Sequence, residues 1–294
     1  MTSARHILVI GATGFTGQQV LNQLAHTGHT VTALVRPGST PPDWGGKTPL
    51  TIVRGDLNNP HDIEQALDGK DTLIFTASMG FDYMENVVAA LKNSAVTRAV
   101  FTSSTAIFTA LKAGSKDKRQ KGEDLVKALD INWTVLRPTM IFGRKGDRNF
   151  ERLVRYVRRW PVLFVPGSSE NLIQPIFVDD VAKACVDVLE KEPTHKKAYN
   201  ISGPAPLTFG EAVRTIATQM GTSIHLIHLP LKPMVWVVKM VEKILPTPPV
   251  KAEQLLRLNE NKAFDHTGAQ KDFNFIPTPF HDAINVLVKE VTYG

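Results

Sequence analysis

The chain has 294 residues, enough for one large core or a core with a smaller lobe. Its 43% hydrophobic and 21% charged residues are those of an ordinary soluble globular protein, and a net charge of +6, scattered along the chain, does not imply nucleic-acid binding. A single cysteine, Cys185, rules out an intrachain disulfide; in the helical pattern of residues 181–189 it reads as a small buried thiol.

Strand-like and helix-like segments alternate from the first residues onward. Apolar runs predict strands at 6–10, 30–35, 50–53, 72–76, 99–103 and 133–137. Amphipathic spacing predicts helices at 14–27, 61–67, 81–94 and 120–129. Continuous apolar strands alternating with such helices imply a parallel sheet covered on both faces, a Rossmann-type doubly wound α/β fold. Ligands of such sheets lie at the carboxyl ends of the strands. Past Gly143 the alternation loosens and prolines multiply, including Pro246, Pro248 and Pro249. Residues 1–143 are therefore expected to form the dinucleotide-binding core. Residues 144–294 are expected to form a mixed region, a smaller α/β substrate lobe interleaved with late elements of the main sheet. Only five residues precede the first expected strand, so no signal peptide is expected. The longest apolar stretch, 233–245, is too short and too charged to span a bilayer, and a cytoplasmic location is expected.

The first strand runs into a glycine turn with the spacing Gly-x-x-Gly-x-x-Gly at Gly11, Gly14 and Gly17, and the turn opens a helix. Glycines suit a backbone that must bend sharply and approach a pyrophosphate, with the helix N-terminus supplying amide donors. The turn, with Thr13, Phe15 and Thr16, is read as a dinucleotide site. An NAD-preferring site would place an acid about 20 residues past the glycines, at the end of the second strand. This chain has Arg36 there, followed by Ser39 and Thr40, a set suited to a 2′-phosphate. NADP(H) is the expected cofactor.

Further landmarks follow in order: Gly55-Asp56-Leu57, Phe101-Thr-Ser103-Ser104, Leu136-Arg-Pro138, Ile141-Phe142-Gly143, Val178-Asp179-Asp180-Val181-Ala182 and Tyr199-Asn-Ile-Ser-Gly203. With the glycine turn, they resemble the extended and atypical branches of the short-chain dehydrogenase/reductase superfamily, including NmrA-like proteins. The resemblance covers residues 6 to about 220. It implies that Asp56 and Leu57 face the adenine and that Thr76 and Ala77 pass the ribose and pyrophosphate. It also implies that Ser103 belongs to the cofactor site, that Pro138, Thr139 and Phe142 floor the nicotinamide, and that Ser104 is the family's Ser/Thr.

The family's Tyr-x-x-x-Lys tyrosine is absent. None of the four tyrosines, Tyr83, Tyr156, Tyr199 and Tyr293, falls within 105–129, where Ser115 and Arg119 take the pair's positions. Neither holds a readily transferable proton near neutral pH. Lys118, with Lys121 second, becomes the candidate proton donor, and Tyr83 the candidate to reach the nicotinamide from the fourth loop. The leading expectation is an NADPH-dependent reductase of a small apolar carbonyl, enone or quinone. The competing one is a sensor or scaffold with little turnover, like NmrA-like redox sensors or a complex I accessory subunit. Sugar-nucleotide chemistry, which depends on the tyrosine, ranks last.

Other features carry plainer readings. The basic run 112–121 reads as a solvated loop and helix start, with a lysine gate as the functional alternative. On a helix over 148–159, Arg148, Arg152, Arg155 and Arg159 share one face, either solvated or meeting an anionic substrate, a lipid headgroup at a membrane surface or an acidic partner. His225 and His228 lie on opposite faces of a strand, and no metal is expected. Asp179 and Asp180 read as helix-capping acids. The stripe Met234, Val237, Val238, Val241 and Leu245 reads as core, with Trp236, Lys239 and Lys243 leaving a membrane contact open.

Overall fold

The computed structural model describes residues 4–110, 114–244, 256 and 260–293. Lys112, Leu245, Pro246, Pro248 and Pro249 lie outside them. In chain order the first elements are β1 (His6–Ile10), α1 (Phe15–Leu24), β2 (Thr30–Val35), β3 (Thr51–Arg54), α2 (Pro60–Leu67), β4 (Thr72–Phe75), α3 (Met84–Lys92), β5 (Arg98–Thr102), α4 (Gly114–Lys127) and β6 (Asn132–Pro138). Then follow β7 (Ile141–Phe142), α5 (Phe150–Arg159), β8 (Val162–Pro166), β9 (Leu172–Ile173), β10 (Ile176–Phe177), α6 (Val178–Asp187) and β11 (Lys197–Ile201). The last are β12 (Leu207–Thr208), α7 (Phe209–Gln219), β13 (His225–Leu229), α8 (Leu231–Ile244), α9 (Thr267–Phe273) and α10 (Phe280–Tyr293).

The chain divides into two compact units, each built from separate segments. Unit 1 holds Met1–Thr139, Val178–Ile201 and Asp265–Pro277. Unit 2 holds Met140–Phe177, Ser202–Phe264 and Thr278–Gly294.

Unit 1 is the Rossmann-type α/β sheet that the alternation implies. Among the described residues its seven strands run parallel in the order β3-β2-β1-β4-β5-β6-β11. The run Ile7–Ile10 and all of β4 and β5 are buried, because helices cover both faces. Helix α1 turns Val20, Leu21 and Leu24 inward. Helix α2 starts at Pro60, with the Asn59 side chain accepting the His61 amide. Two helices differ from expectation. Residues 81–83 form a turn ahead of α3, and α4 begins at Gly114, so the basic stretch from Lys116 to Lys121 is helical; its straight-chain residues are good helix formers.

Arg98, 2% exposed at the start of β5, ties distant segments together. Its guanidinium donates to the carbonyls of Asn132 (2.7 Å), Val188 (2.6 Å) and Leu189 (3.3 Å) and to the hydroxyls of Thr134 (2.8 Å) and Thr194 (3.1 Å). No carboxylate pairs with it among the described residues, and burial brings its pKa down to about 10.

In unit 2, helix α5 buries Phe150, Val154 and Val157 at helical spacing, and α7 opens with a capping box between Thr208 and Glu211. Strands β8 and β13 pair in parallel. The apolar stripe of α8 is not the core expected: of its described residues Met234, Val238 and Val241 are half-buried and Val237 is 52% exposed, while Trp236, off the stripe, is 65% exposed. Periodicity marks an apolar face without saying what covers it. No helix among the described residues is long and apolar enough to cross a membrane.

Candidate dinucleotide site

Strand order reverses between β1 and β4, and there the Thr76 amide donates to Ile10 O at 2.8 Å. Gly11 sits at φ +85°, and a Cβ on it would lie 2.7 Å from the Ala77 amide nitrogen and from Thr76 Oγ1. Only glycine accepts both the dihedral and that approach. The Gly14 amide donates to Gly11 O at 2.9 Å, closing the turn. A Cβ on Gly17 would stand 2.0 Å from the same carbonyl, so α1 packs directly on the turn. Helical bonding starts with Gln18 N–H to Gly14 O at 2.9 Å. The amides of Phe15, Thr16 and Gly17 precede it, no side chain caps them, and the first turn holds no acid. A positive helix end at the switch point of a parallel sheet is a cradle for a pyrophosphate.

Beyond β2, Arg36 is exposed and its loop is fixed by a residue the sequence reading did not single out. Arg54 Nη1 donates to the carbonyls of Arg36 (3.2 Å) and Ser39 (2.5 Å). Asp56 spends Oδ1 on the Asn58 amide and side chain, both at 2.8 Å, a turn role that leaves Oδ2 outside those bonds. The Leu57 carbonyl is held by Asn86 at 3.1 Å. At the end of β6, Thr139 Oγ1 is buried without a hydrogen-bond partner, an atom of the kind a ligand's polar group satisfies. Phe142 belongs to unit 2, where its ring packs against Phe150 at 5.0 Å and Phe280 at 5.1 Å.

The end of β5 holds a polar cluster that spacing alone did not reveal. Glu123, fully buried on α4, takes Arg137 Nε at 2.9 Å on Oε1 and Nη2 at 2.5 Å on Oε2. It also accepts the Ser103 hydroxyl at 2.7 Å. Burial pushes this carboxyl up, but the bonds from Arg137 and Ser103 outweigh that and hold it below its ordinary value. The Ser103 hydroxyl is thus committed within the protein, and its amide donates to Leu136 O at 2.7 Å. A glutamate at helical spacing between Gly122 and Val126 on the buried face of α4 was the available signal.

Ser104 caps the following turn, its Oγ accepting the Ala106 amide at 3.2 Å while its own hydrogen stays outside that bond. Helix α4 docks Gly122 and Arg119 onto the loop after β4, where a Cβ on Gly122 would meet Met79 O at 2.4 Å. Tyr83 OH donates to Ser78 O at 2.6 Å, and burial pushes its pKa up to about 12. Lys118 Nζ, on the exposed side of α4, lies 3.3 Å from both oxygens of Asp82, and Lys121 pairs with Glu85 at 2.5 Å. Cys185 is fully buried, which pushes its thiol up to about 11 despite the contact with Thr102 Oγ1 at 3.6 Å. His228 bonds Ser169 Oγ at 2.8 Å, and the described residues hold no metal-binding cluster of His, Cys, Asp or Glu.

Sheet order, glycine turn and uncapped helix end together define a Rossmann protein built to hold a dinucleotide. A family model described as NAD(P)H-binding matches residues 11–192, more than half the chain. The chain belongs to this NAD(P)H-binding family of the short-chain dehydrogenase/reductase type, an oxidoreductase family, and its cofactor is a nicotinamide dinucleotide. A ceramide reductase of Caulobacter vibrioides is 28% identical over 249 residues, spanning 78% of this chain and 75% of the relative. Subunit 9 of the NADH dehydrogenase 1 alpha subcomplex of Dictyostelium discoideum is 28% identical over 218 residues, 69% of this chain and 60% of that protein. The UDP-N-acetylglucosamine 4-epimerase structure from Methanobrevibacter ruminantium superposes with a TM-score of 0.76 at 18% identity, covering 98% of both chains, a likeness of fold.

Proposed function

We propose that the chain is an NADPH-dependent reductase of a small, apolar carbonyl, enone or quinone. The observation that carries this is the free hydrogen of Ser104, placed at the end of a central strand in the unit that holds the glycine cradle. The nicotinamide, when bound, supplies a hydride. Ser104 donates its hydrogen bond to the substrate oxygen and orients it. Lys118, its ammonium steered by Asp82, carries the proton the reduced oxygen takes up, and Lys121 is tied more closely to Glu85. Tyr83 keeps its proton at neutral pH and spends it on Ser78, so it holds the loop and is not a second donor. Arg36, on a loop pinned by Arg54, forks the 2′-phosphate that distinguishes NADPH. The ceramide reductase among the relatives supports a reductase with an apolar substrate.

The absence of a tyrosine between residues 105 and 129 favours a second reading, a nicotinamide-binding scaffold with little turnover, and the complex I relative agrees with it. NADPH deuterated at the transferring carbon, incubated with the protein and soluble cell extract, separates the two. Under the reductase reading label enters a metabolite, and Lys118→Ala lowers that transfer at least tenfold, the low end of general-acid contributions of about 100-fold or more. Firm binding with all label retained overturns it in favour of the scaffold.

A further inference from the structure

Unit 2 holds an open-mouthed cavity of about 450 Å³, within the range of small-molecule sites. One wall comes from α5 through Leu153 and Tyr156, another from β8 through Leu163 and Val165, and a third from Ile173 and Phe209. Tyr156 contributes its ring alone, because its hydroxyl donates to Val162 O at 2.9 Å. Asn149 and Ser168 are the uncharged polar side chains of the lining besides that phenol. Two such groups cannot satisfy the many hydroxyls of a sugar, whose burial without partners is costly.

The charged part of the lining is of one sign. Arg148, Arg152 and Lys262 line the cavity, and no acid does so among the described residues. The neighbouring arginines are engaged elsewhere. Arg144 pairs with Glu290 at 2.8 Å, Arg155 pairs with Glu151 at 2.7 Å, Arg158 donates to Val291 O at 3.3 Å, and Arg159 lies over the Trp160 ring. Arg148 and Arg152 have no acidic partner among the described residues. Thus two arginines of this stretch are left unneutralised, and both face the apolar cavity.

We propose that this cavity binds a single-chain amphipathic acid, with a long alkyl or prenyl tail along the apolar walls and a carboxylate or phosphate head on Arg148 and Arg152. Apolar wall and unpaired guanidiniums select this class jointly, since either alone would accept a neutral lipid or a bare anion. The proposal concerns binding within unit 2 and stands apart from the reductase reading.

The test is equilibrium binding of dansyl-undecanoic acid to the full chain, followed by the rise in dansyl fluorescence, with competition by other ligands. Hexadecanoate and hexadecyl phosphate should displace the probe, and each pair of methylenes removed should weaken a competitor roughly tenfold. Hexadecanol should compete at least tenfold less well, and inorganic phosphate alone should not compete. Leu153→Trp, which fills the cavity, should abolish probe uptake. Arg148→Ala/Arg152→Ala, at exposed positions that leave the fold intact, should bring the acids down to the level of the alcohol. Uptake unchanged in both variants, displacement by phosphate alone, or an alcohol equal to the acid in the wild-type chain would each overturn the proposal. NADPH binding, measured in parallel, should be unchanged in the double variant; its loss in the wild-type chain would count against the cofactor reading and leave the cavity result standing.

Discussion

The turn after β1 and the inner face of α4 solve opposite problems within the same unit. The turn does its work with main chain: Gly11, Gly14 and Gly17 remove side chains so that amides and a helix end stand free. The inner face of α4 works with side chains locked against each other, Glu123 to Arg137 and Ser103. A backbone site is intolerant of an added side chain. A side-chain site tolerates shape changes better and is governed by protonation.

Four substitutions sharpen that contrast, beginning with the largest expected effect. Gly17→Ala places a methyl 2.0 Å from the Gly11 carbonyl, so turn and helix must part. Cofactor binding by calorimetry should fall below detection, whereas retained affinity would mean the turn does not hold the pyrophosphate. Arg137→Met leaves Glu123 buried without its main partner, at a cost of about 3–5 kcal/mol in urea unfolding. Because Arg137 and Ser103 depress the Glu123 pKa, their stabilisation is complete above the carboxyl's unfolded value and is lost as pH falls through the folded one. Wild-type stability should therefore decline on the acid side, and Glu123→Gln should flatten that slope; an unchanged slope would show the pair contributes nothing. The smallest effect is expected at the rim, where Arg36→Asp should cut the preference for NADPH over NADH by about 10- to 100-fold, as for a hydrogen bond to a charged group. Equal affinity for both cofactors in the wild-type chain would remove the reason for the arginine.

The same contrast explains what could be read in advance. The six strands and the glycine turn were legible because apolar runs and glycine spacing are local properties of adjacent residues. Arg36 was legible as a residue, but not the grip of Arg54 on its loop, which depends on two neighbouring strands. The link from Ser103 to Glu123 and Arg137 was not legible, because it joins residues 20 and 14 apart across a strand, a helix and a second strand. The half-buried stripe of α8 misled for a related reason: its apolar face is a fact of the sequence, its covering a fact of the tertiary structure.

Arg98 bears on how the chain is made. Its guanidinium stays buried without a carboxylate and draws on carbonyls some 90 residues downstream, at Val188 and Leu189. Strand β6 likewise waits for β11 to cover its edge. A ribosome that has released only the first 143 residues has made the glycine turn and six strands, yet holds a buried cation short of acceptors and a sheet with an open side. Completion of unit 1 must await the emergence of residues 178–201 and 265–277, so a chain cut between residues 140 and 177 exposes an unfinished nucleotide fold to proteolysis.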